Sequence, residues 1–171
     1  LQVLRTQMAN KAKFKGLVFD QIGDKFNTFF KHNLPFELTG AQKRVLKEIR
    51  LDLKSGTQMN RLLQGDVGSG KTIVALMSAL MAIDNGFQVA LLAPTSILSH
   101  QHYEGLKELL VGLPVRIKLL TGNTKTKARR ELLQDLVEGE LEIVVGTHAL
   151  LEDRVVFKSL GLAIIDEQHR F

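Results

Sequence analysis

The sequence contains no cysteine, and no apolar run approaches the roughly 18 residues that a membrane-spanning helix needs. The absence of cysteine excludes a disulfide framework and a thiolate metal site, and it suits a reducing compartment. The first residues, LQVLRTQMANKAKFKG, lack the uninterrupted apolar region of a signal peptide. Repeats and low-complexity segments are also missing. We therefore expect an ordinary soluble globular chain.

The composition that is present is typical of one globular domain. Of the 171 residues, 44% are hydrophobic and 24% are charged, and this length is enough to bury a core. The formal net charge is +5. A basic chain is compatible with a polyanionic partner, but many basic proteins bind no nucleic acid, so the charge alone identifies no partner.

Residues 1–34 differ from the rest of the chain. They carry basic residues such as Arg5, Lys15 and Lys31 against only Asp20 and Asp24. Their apolar residues recur at helical spacing, as at Leu1, Leu4, Met8, Phe26, Phe29 and Phe30. We interpret residues 1–34 as a basic helical connector that arrives from an upstream domain.

From residue 35 onward, helical and strand patterns alternate. Helices are predicted at 39–53, 71–85, 97–111 and 125–138, and strands at 61–64, 88–93, 115–120, 142–146 and 162–166. The strands are apolar runs without alternation, which is typical of strands covered on both faces. The order predicts an α/β fold, a mainly parallel sheet with helices on both faces.

The segment GDVGSGKT matches the complete phosphate-loop pattern G-x-x-x-x-G-K-[ST], between a predicted strand and a predicted helix. Glycines let successive backbone N–H groups point inward at an anion, and the following helix adds its positive end. A lysine there reaches the β- and γ-phosphates, and a threonine hydroxyl ligates Mg²⁺. The alternative is a glycine-rich turn, which the complete match disfavours. The predicted nucleotide-binding residues are Gly65, Asp66, Val67, Gly68, Ser69, Gly70, Lys71 and Thr72.

A second element, LAIIDE, is an apolar strand that ends in two carboxylates, Asp166 and Glu167. A parallel sheet delivers such residues to the crevice where ligands bind. Asp166 is a candidate Mg²⁺ ligand with Thr72, and Glu167 is a candidate for polarising an attacking water. The alternative is a solvated strand end. With the phosphate loop in the same sheet, hydrolysis is favoured, although these two motifs also fit a nucleotide kinase.

Several ordered segments resemble motifs of superfamily 2 helicases and translocases. They are PFELTGAQ (35–42), the phosphate loop, APTSILSHQHY (93–103), LLTG (119–122), GTHAL (146–150) and DEQH (166–169). The resemblance covers residues 34–171. Within the superfamily, LPFELTGAQKRV, MNRLLQGDVGSGKT, VVGTHAL and DEQHRF are similar to helicases that remodel branched DNA. The duplex translocases that couple transcription to repair match less well at DEQHRF.

The resemblance implies that residues 35–171 are the first of two RecA-like motor domains, ending just after DEQH. It implies ATP and Mg²⁺ as cofactors and branched or duplex DNA as a partner. Two further partners would lie in the same full-length protein: a second RecA-like domain that supplies an arginine, and an upstream wedge domain. The expected location is the bacterial cytoplasm, in association with the nucleoid.

The resemblance also implies roles for individual residues. Gln42 would contact adenine, Lys71, Asp166 and Glu167 would be catalytic, and Gln168 and His169 would relay the nucleotide state toward DNA. The residues expected at the nucleic-acid backbone are Pro94, Thr95, Gly122, Thr147 and His148.

Several of these roles have alternatives. Thr39 and Gln42 also satisfy the capping box of a helix start. His148 and His169 also fit as ordinary polar residues at strand ends. Cations at a helix start oppose its dipole, so Lys125, Lys127, Arg129 and Arg130 favour either phosphate contact or a solvated basic turn. His100 and His102, two positions apart on a helix, lie on different faces and form no metal pair.

Two other classes of function remain open. A P-loop kinase would need an acceptor pocket, which nothing between the phosphate loop and Asp166 indicates. A nucleotide-gated binding module without turnover would need no arginine from a partner domain. On the motifs present, we expect the chain to bind ATP–Mg²⁺ weakly and to hydrolyse it barely without that arginine.

Overall fold

A computed structural model describes residues 2–5 and 14–170, with side chains for residues 14–170. The strands are β1 (Gln2–Arg5), β2 (Arg61–Gln64), β3 (Gln88–Leu92), β4 (Ile117–Leu120), β5 (Ile143–Gly146) and β6 (Leu160–Ile165). The α-helices are α1 (Asp24–Thr28), α2 (Gly40–Lys54), α3 (Lys71–Asp84), α4 (Ser96–Leu109) and α5 (Thr126–Glu138). A π-helical turn, Phe29–Asn33, extends α1, and 3₁₀ turns occupy His148–Leu151 and Gln168–Arg170.

The centre of the domain is a parallel four-stranded sheet in the order β4-β5-β3-β6. Successive residues of a strand point to opposite faces of the sheet, and β3 and β5 contribute side chains to the core on both faces. Val89 and Leu91 of β3 lie in the core cluster that includes α2, α3 and α4, whereas Ala90 and Leu92 lie in the cluster that includes Leu132 of α5. The predicted parallel sheet with helices on both faces is therefore confirmed.

The strand before the phosphate loop was predicted to belong to the parallel sheet, and this prediction was wrong. β2 forms at the expected residues, but in the described part of the chain it pairs only with β1, in antiparallel register. β6 is consequently an edge strand, and its Ile165 side chain is half exposed. A cleft of about 530 Å³ lies between β6 and residues 57–59, which precede β2.

The predicted basic helical connector is only partly helical. Helix is confirmed at Asp24–Asn33 but was wrong at Gln2–Arg5, which is β1, while residues 14–23 form neither a helix nor a strand. Within that segment, Lys15 pairs with Thr57 in an isolated antiparallel bridge. Leu1, residues 6–13 and Phe171 lie outside the described residues. The boundary at residue 34 stays a prediction.

Residues 14–33 contribute to the same core as the sheet. Phe19 and Phe29 are buried in the cluster that contains α3. The Asp84 carboxylate at the end of α3 accepts hydrogen bonds from the backbone N–H groups of Gly23, Lys25 and Phe26, at 2.9–3.2 Å. This segment therefore packs closely against the helix that follows the phosphate loop.

The buried Arg61 side chain links β2 to two partly exposed carboxylates of α2. The Arg61 side chain is only 4% exposed, and it donates to the Asp52 carboxylate and, at 3.2 Å, to Glu48. The Asp52 carboxylate, through this hydrogen bond and its charge, raises the pKa of the Arg61 guanidinium above its ordinary value although burial lowers it. Because β2 leads directly into residues 65–72, this pair helps to position the phosphate loop.

No helix in the described ranges is long and apolar enough to cross a membrane.

Candidate nucleotide-binding site

The predicted phosphate loop lies between the end of β2 and the start of α3. Gly68 and Gly70 have φ angles of +81° and +80°, in the left-handed region that favours glycine. A side chain at Gly70 would also require Gln42 to move, because a Cβ atom there would lie 2.3 Å from the Gln42 Nε2 atom. In the described chain, no side chain caps the N-terminus of α3. Its N–H groups therefore remain available to an anion.

The loop contains groups suited to a triphosphate. Lys71 Nζ bends back over the loop and donates to the carbonyl oxygens of Gly65 and Asp66, the latter at 3.0 Å. The Ser69 hydroxyl is buried without a hydrogen-bond partner among residues 14–170. Thr72 is exposed in the first turn of α3. An unsatisfied buried hydroxyl, an ammonium group and uncapped helix N–H groups fit phosphate oxygens well.

Gln42 joins the start of α2 to the phosphate loop. Its side-chain oxygen accepts a hydrogen bond from the backbone N–H of Thr39 at 2.9 Å, and the backbone N–H of Gln42 donates to the Thr39 hydroxyl. The predicted capping box is therefore present. In addition, Nε2 donates to the Ser69 carbonyl oxygen at 2.9 Å. A glutamine side-chain amide has two N–H donors and two acceptor lone pairs, and its contacts to Ser69 and Thr39 use one donor and one lone pair. Adenine contact stays a prediction beside this observed role.

The two predicted carboxylates follow β6 and face different partners. The Asp166 N–H continues the parallel ladder by donating to the Leu92 carbonyl oxygen. Glu167 has a φ angle of +51°, which is uncommon for a residue with a side chain. Its carboxylate lies 3.2 Å from His169 Nε2 and 3.3 Å from Arg170 Nε. The left-handed turn therefore separates Glu167 from Asp166, and His169 contacts the candidate catalytic carboxylate directly.

His102 is a site residue that the sequence did not reveal. Its Nε2 atom lies 2.7 Å from Asp166 Oδ2, although the two residues are 64 positions apart. The sequence interpretation treated His102 as an ordinary helix residue. The His100 ring, two positions away, is exposed and contacts the Ser96 carbonyl oxygen instead. The contact depends on β3 and β6 being neighbours, which no sequence pattern indicated.

The predicted nucleic-acid residues all lie beyond the carboxyl ends of parallel strands. Pro94 and Thr95 follow β3, Gly122 follows β4, and Thr147 and His148 follow β5. These ends share one edge of the sheet with Asp166. Thr95 also caps α4, since its hydroxyl accepts from the Leu98 N–H at 3.2 Å. The sheet thus gathers these residues along one rim, where contact with nucleic acid stays a prediction.

The basic cluster at the start of α5 divides into two kinds of residue. Arg129 is mostly buried and donates to the Thr121 carbonyl oxygen at 2.8 Å and to Glu152 at 3.4 Å. It therefore holds the loop after β4 against the segment after β5. Lys125, Lys127 and Arg130 are exposed and keep both alternatives open, phosphate contact or a solvated turn.

The chemistry of the site is suited to a nucleotide with a divalent cation. No three His, Cys, Asp or Glu side chains of the described residues form a metal-ligand group. A Mg²⁺ ion here would therefore take ligands from nucleotide phosphates as well as from protein oxygens, which is how Mg²⁺ is usually bound. The Thr72 hydroxyl and the Asp166 carboxylate have the oxygen chemistry that this requires.

Comparison with known proteins identifies relatives with the same pattern. Residues 39–171 match the model of the DEAD/DEAH box helicase family. The chain is 48% identical over 171 residues to the ATP-dependent DNA helicase RecG of Streptococcus pneumoniae, covering 100% of this chain and 25% of that protein. It is 55% identical over 142 residues to RecG of Bacillus subtilis, covering 83% of this chain and 21% of that protein.

A comparison with solved structures also identifies RecG as a relative. The structure of RecG bound to a three-way DNA junction superimposes with a TM-score of 0.85 at 47% identity, over 92% of this chain and 21% of that one. The RecA-like fold class and the resemblance to branched-DNA helicases, RecG in particular, are confirmed. The chain spans about a quarter or less of the length of these relatives.

Proposed function

The chain belongs to the DEAD/DEAH box helicase family, and from this premise we propose that it is the ATP-binding motor domain of a DNA helicase that remodels branched DNA. The observation that carries the proposal is the position of two motifs. The complete phosphate loop precedes α3, and the Asp166–Glu167 pair ends a strand of the sheet against which α3 packs. ATP hydrolysis would drive movement along duplex DNA at stalled forks and four-way junctions.

The phosphate loop would hold the triphosphate of ATP. Loop N–H groups and the uncapped start of α3 would bind phosphate oxygens. Lys71 would exchange its bonds to the Gly65 and Asp66 carbonyl oxygens for bonds to the terminal phosphates. Gln42, anchored to Thr39 and Ser69, would contact adenine and keep the loop in place.

The acidic pair would serve the metal ion and the attacking water. Thr72 and Asp166 would hold Mg²⁺, which neutralises charge on the phosphates when it is bound. Glu167 would accept a proton from the water as it attacks. Its contacts to His169 and Arg170 link this carboxylate to the DEQH turn, so a change in the nucleotide would reach His169 directly, and Gln168 would move with the same turn.

The rim of loops after β3, β4 and β5 would bind the backbone of DNA. The position of Pro94, Thr95, Gly122, Thr147 and His148 along the rim supports this role. RecG, a relative, has been solved bound to a three-way DNA junction. A second RecA-like domain and an upstream wedge domain would complete the motor in a longer protein, because the chain covers at most a quarter of these relatives. Such a motor would act at the bacterial nucleoid.

The proposal is tested by ATP turnover of a longer protein that joins this chain to a second RecA-like domain and a wedge domain. Turnover is compared on forked DNA, linear duplex and single strands at one fixed salt concentration, because nucleic-acid affinity falls steeply with salt. We expect the strongest stimulation by forked DNA. Equal stimulation by plain duplex would instead indicate a general duplex translocase, and no stimulation by any DNA would remove the helicase function.

A further inference from the structure

The contact between His102 and Asp166 joins two elements that are distant in the sequence. His102 lies in the second turn of α4, and Asp166 lies one residue beyond β6. The His102 Nε2 atom is 2.7 Å from Asp166 Oδ2, and the two side chains are 21% and 38% exposed. A carboxylate oxygen only accepts hydrogen bonds, so the imidazole Nε2 is the donor in this contact.

This contact does not belong to the general framework of the core. Both side chains are partly exposed, and ion pairs of that kind contribute little to the free energy of unfolding. Nor is His102 suited to bind Mg²⁺ itself, because Mg²⁺ prefers oxygen ligands. The effect of the contact is confined to the Asp166 carboxylate. His102 holds one of its two oxygens and thereby sets the direction of the other.

Asp166 is the carboxylate to which the proposed function assigns Mg²⁺. Carboxylates that ligate metals are usually held in turn by a second hydrogen bond, and removal of that partner typically costs about 10–100-fold in metal affinity or activity. Among the described residues, the side-chain partner of Asp166 is His102. Glu167 is turned away by its left-handed backbone and is engaged by His169 and Arg170.

We propose that His102 is a positioning residue for the metal site, which orients the Asp166 carboxylate for a Mg²⁺ ion bound with ATP. The inference rests on the proposed function, because it gives His102 a role only if Asp166 holds Mg²⁺. His102 acts through Asp166 and not on the nucleotide itself. Its loss is therefore expected to weaken the binding of Mg²⁺ while the phosphate loop still binds nucleotide.

The test is a titration of Mg²⁺ against a fluorescent ATP analogue bound to the chain. His102→Leu removes the N–H donor, whereas His102→Gln keeps an amide N–H on a side chain of similar reach. His100→Leu is the matched control, since His100 is exposed on the same helix and its ring contacts the Ser96 carbonyl oxygen within the described part of the chain. Circular dichroism melts of all four proteins show whether each variant is folded.

We expect His102→Leu to raise the Mg²⁺ concentration at half-maximal binding by about tenfold, with analogue affinity in the absence of Mg²⁺ unchanged. His102→Gln is expected to restore most of the parental value, and His100→Leu to retain all of it. An unchanged Mg²⁺ requirement in folded His102→Leu overturns the inference and leaves the proposed function standing. An equal loss of analogue affinity with and without Mg²⁺ also overturns it, because the role would then be structural. No Mg²⁺-dependent binding by the parental chain overturns the proposed function and this inference together.

Discussion

Lys71→Ala is expected to abolish ATP turnover in a longer protein that contains this chain and a second RecA-like domain. The Lys71 ammonium lies over the phosphate loop, within hydrogen-bond distance of the Gly65 and Asp66 carbonyl oxygens. In the proposed function it would meet the negative charge that develops on the transferred phosphoryl group. Removal of one such electrostatic contact typically lowers kcat by about 10²–10³-fold. The measurement is steady-state release of phosphate at saturating ATP and DNA.

The control for this substitution is Lys54→Ala, which removes an equal charge from an exposed position in the last turn of α2. That variant should keep the parental rate. If Lys71→Ala hydrolysed ATP as fast as the parent, the loop would not be part of a catalytic site. The fold would remain, but the assignment of the motor function to residues 65–72 would be wrong.

In the same longer protein, Glu167→Gln is expected to stop hydrolysis while nucleotide binding is largely kept. The amide has nearly the shape of the carboxylate, but it cannot take a proton from the attacking water. Its oxygen can still accept from His169 and Arg170, which contact the Glu167 carboxylate at 3.2 and 3.3 Å. The loss of a general base typically lowers the rate by about 10²–10⁴-fold. Single-turnover hydrolysis and equilibrium binding of a fluorescent ATP analogue measure the two effects separately.

An exposed carboxylate provides the comparison for Glu167. Glu104 on α4 is paired only loosely with Lys107, at 3.8 Å, so Glu104→Gln should change neither binding nor hydrolysis. Loss of nucleotide binding by Glu167→Gln would show that Glu167 supports the structure of the turn. A parental rate of hydrolysis would show that another group activates the water.

Local sequence patterns were sufficient for the elements of the parallel sheet. The helix predicted at 71–85 is observed at Lys71–Asp84, and the strand predicted at 88–93 is observed at Gln88–Leu92. These segments agree with prediction because their apolar spacing and their terminal glycines are local signals, as at Gly139, which ends α5 with a φ angle of +76°. The phosphate loop could also be predicted from a local signal, since the whole motif lies within residues 65–72.

Pairing between distant segments was not accessible from the sequence. The helical spacing of Leu1, Leu4 and Met8 predicted a helix, but residues 2–5 pair with β2, some 60 positions away. For the same reason β2 was assigned to the parallel sheet and His102 was assigned no role. A strand order such as β4-β5-β3-β6 decides which loops meet at the rim, and periodicity within a segment carries no information about that order.

Measurement of ATP binding and ATP hydrolysis by the 171-residue chain alone tests the account most directly. We expect the folded chain to bind ATP in the presence of Mg²⁺, Lys71→Ala to weaken this binding, and hydrolysis to be barely detectable with or without DNA. Hydrolysis would be slow because an arginine from a partner domain accelerates related phosphoryl transfers by about 10³–10⁵-fold. Rapid turnover stimulated by DNA, or the absence of ATP binding by a chain shown to be folded, would contradict the account.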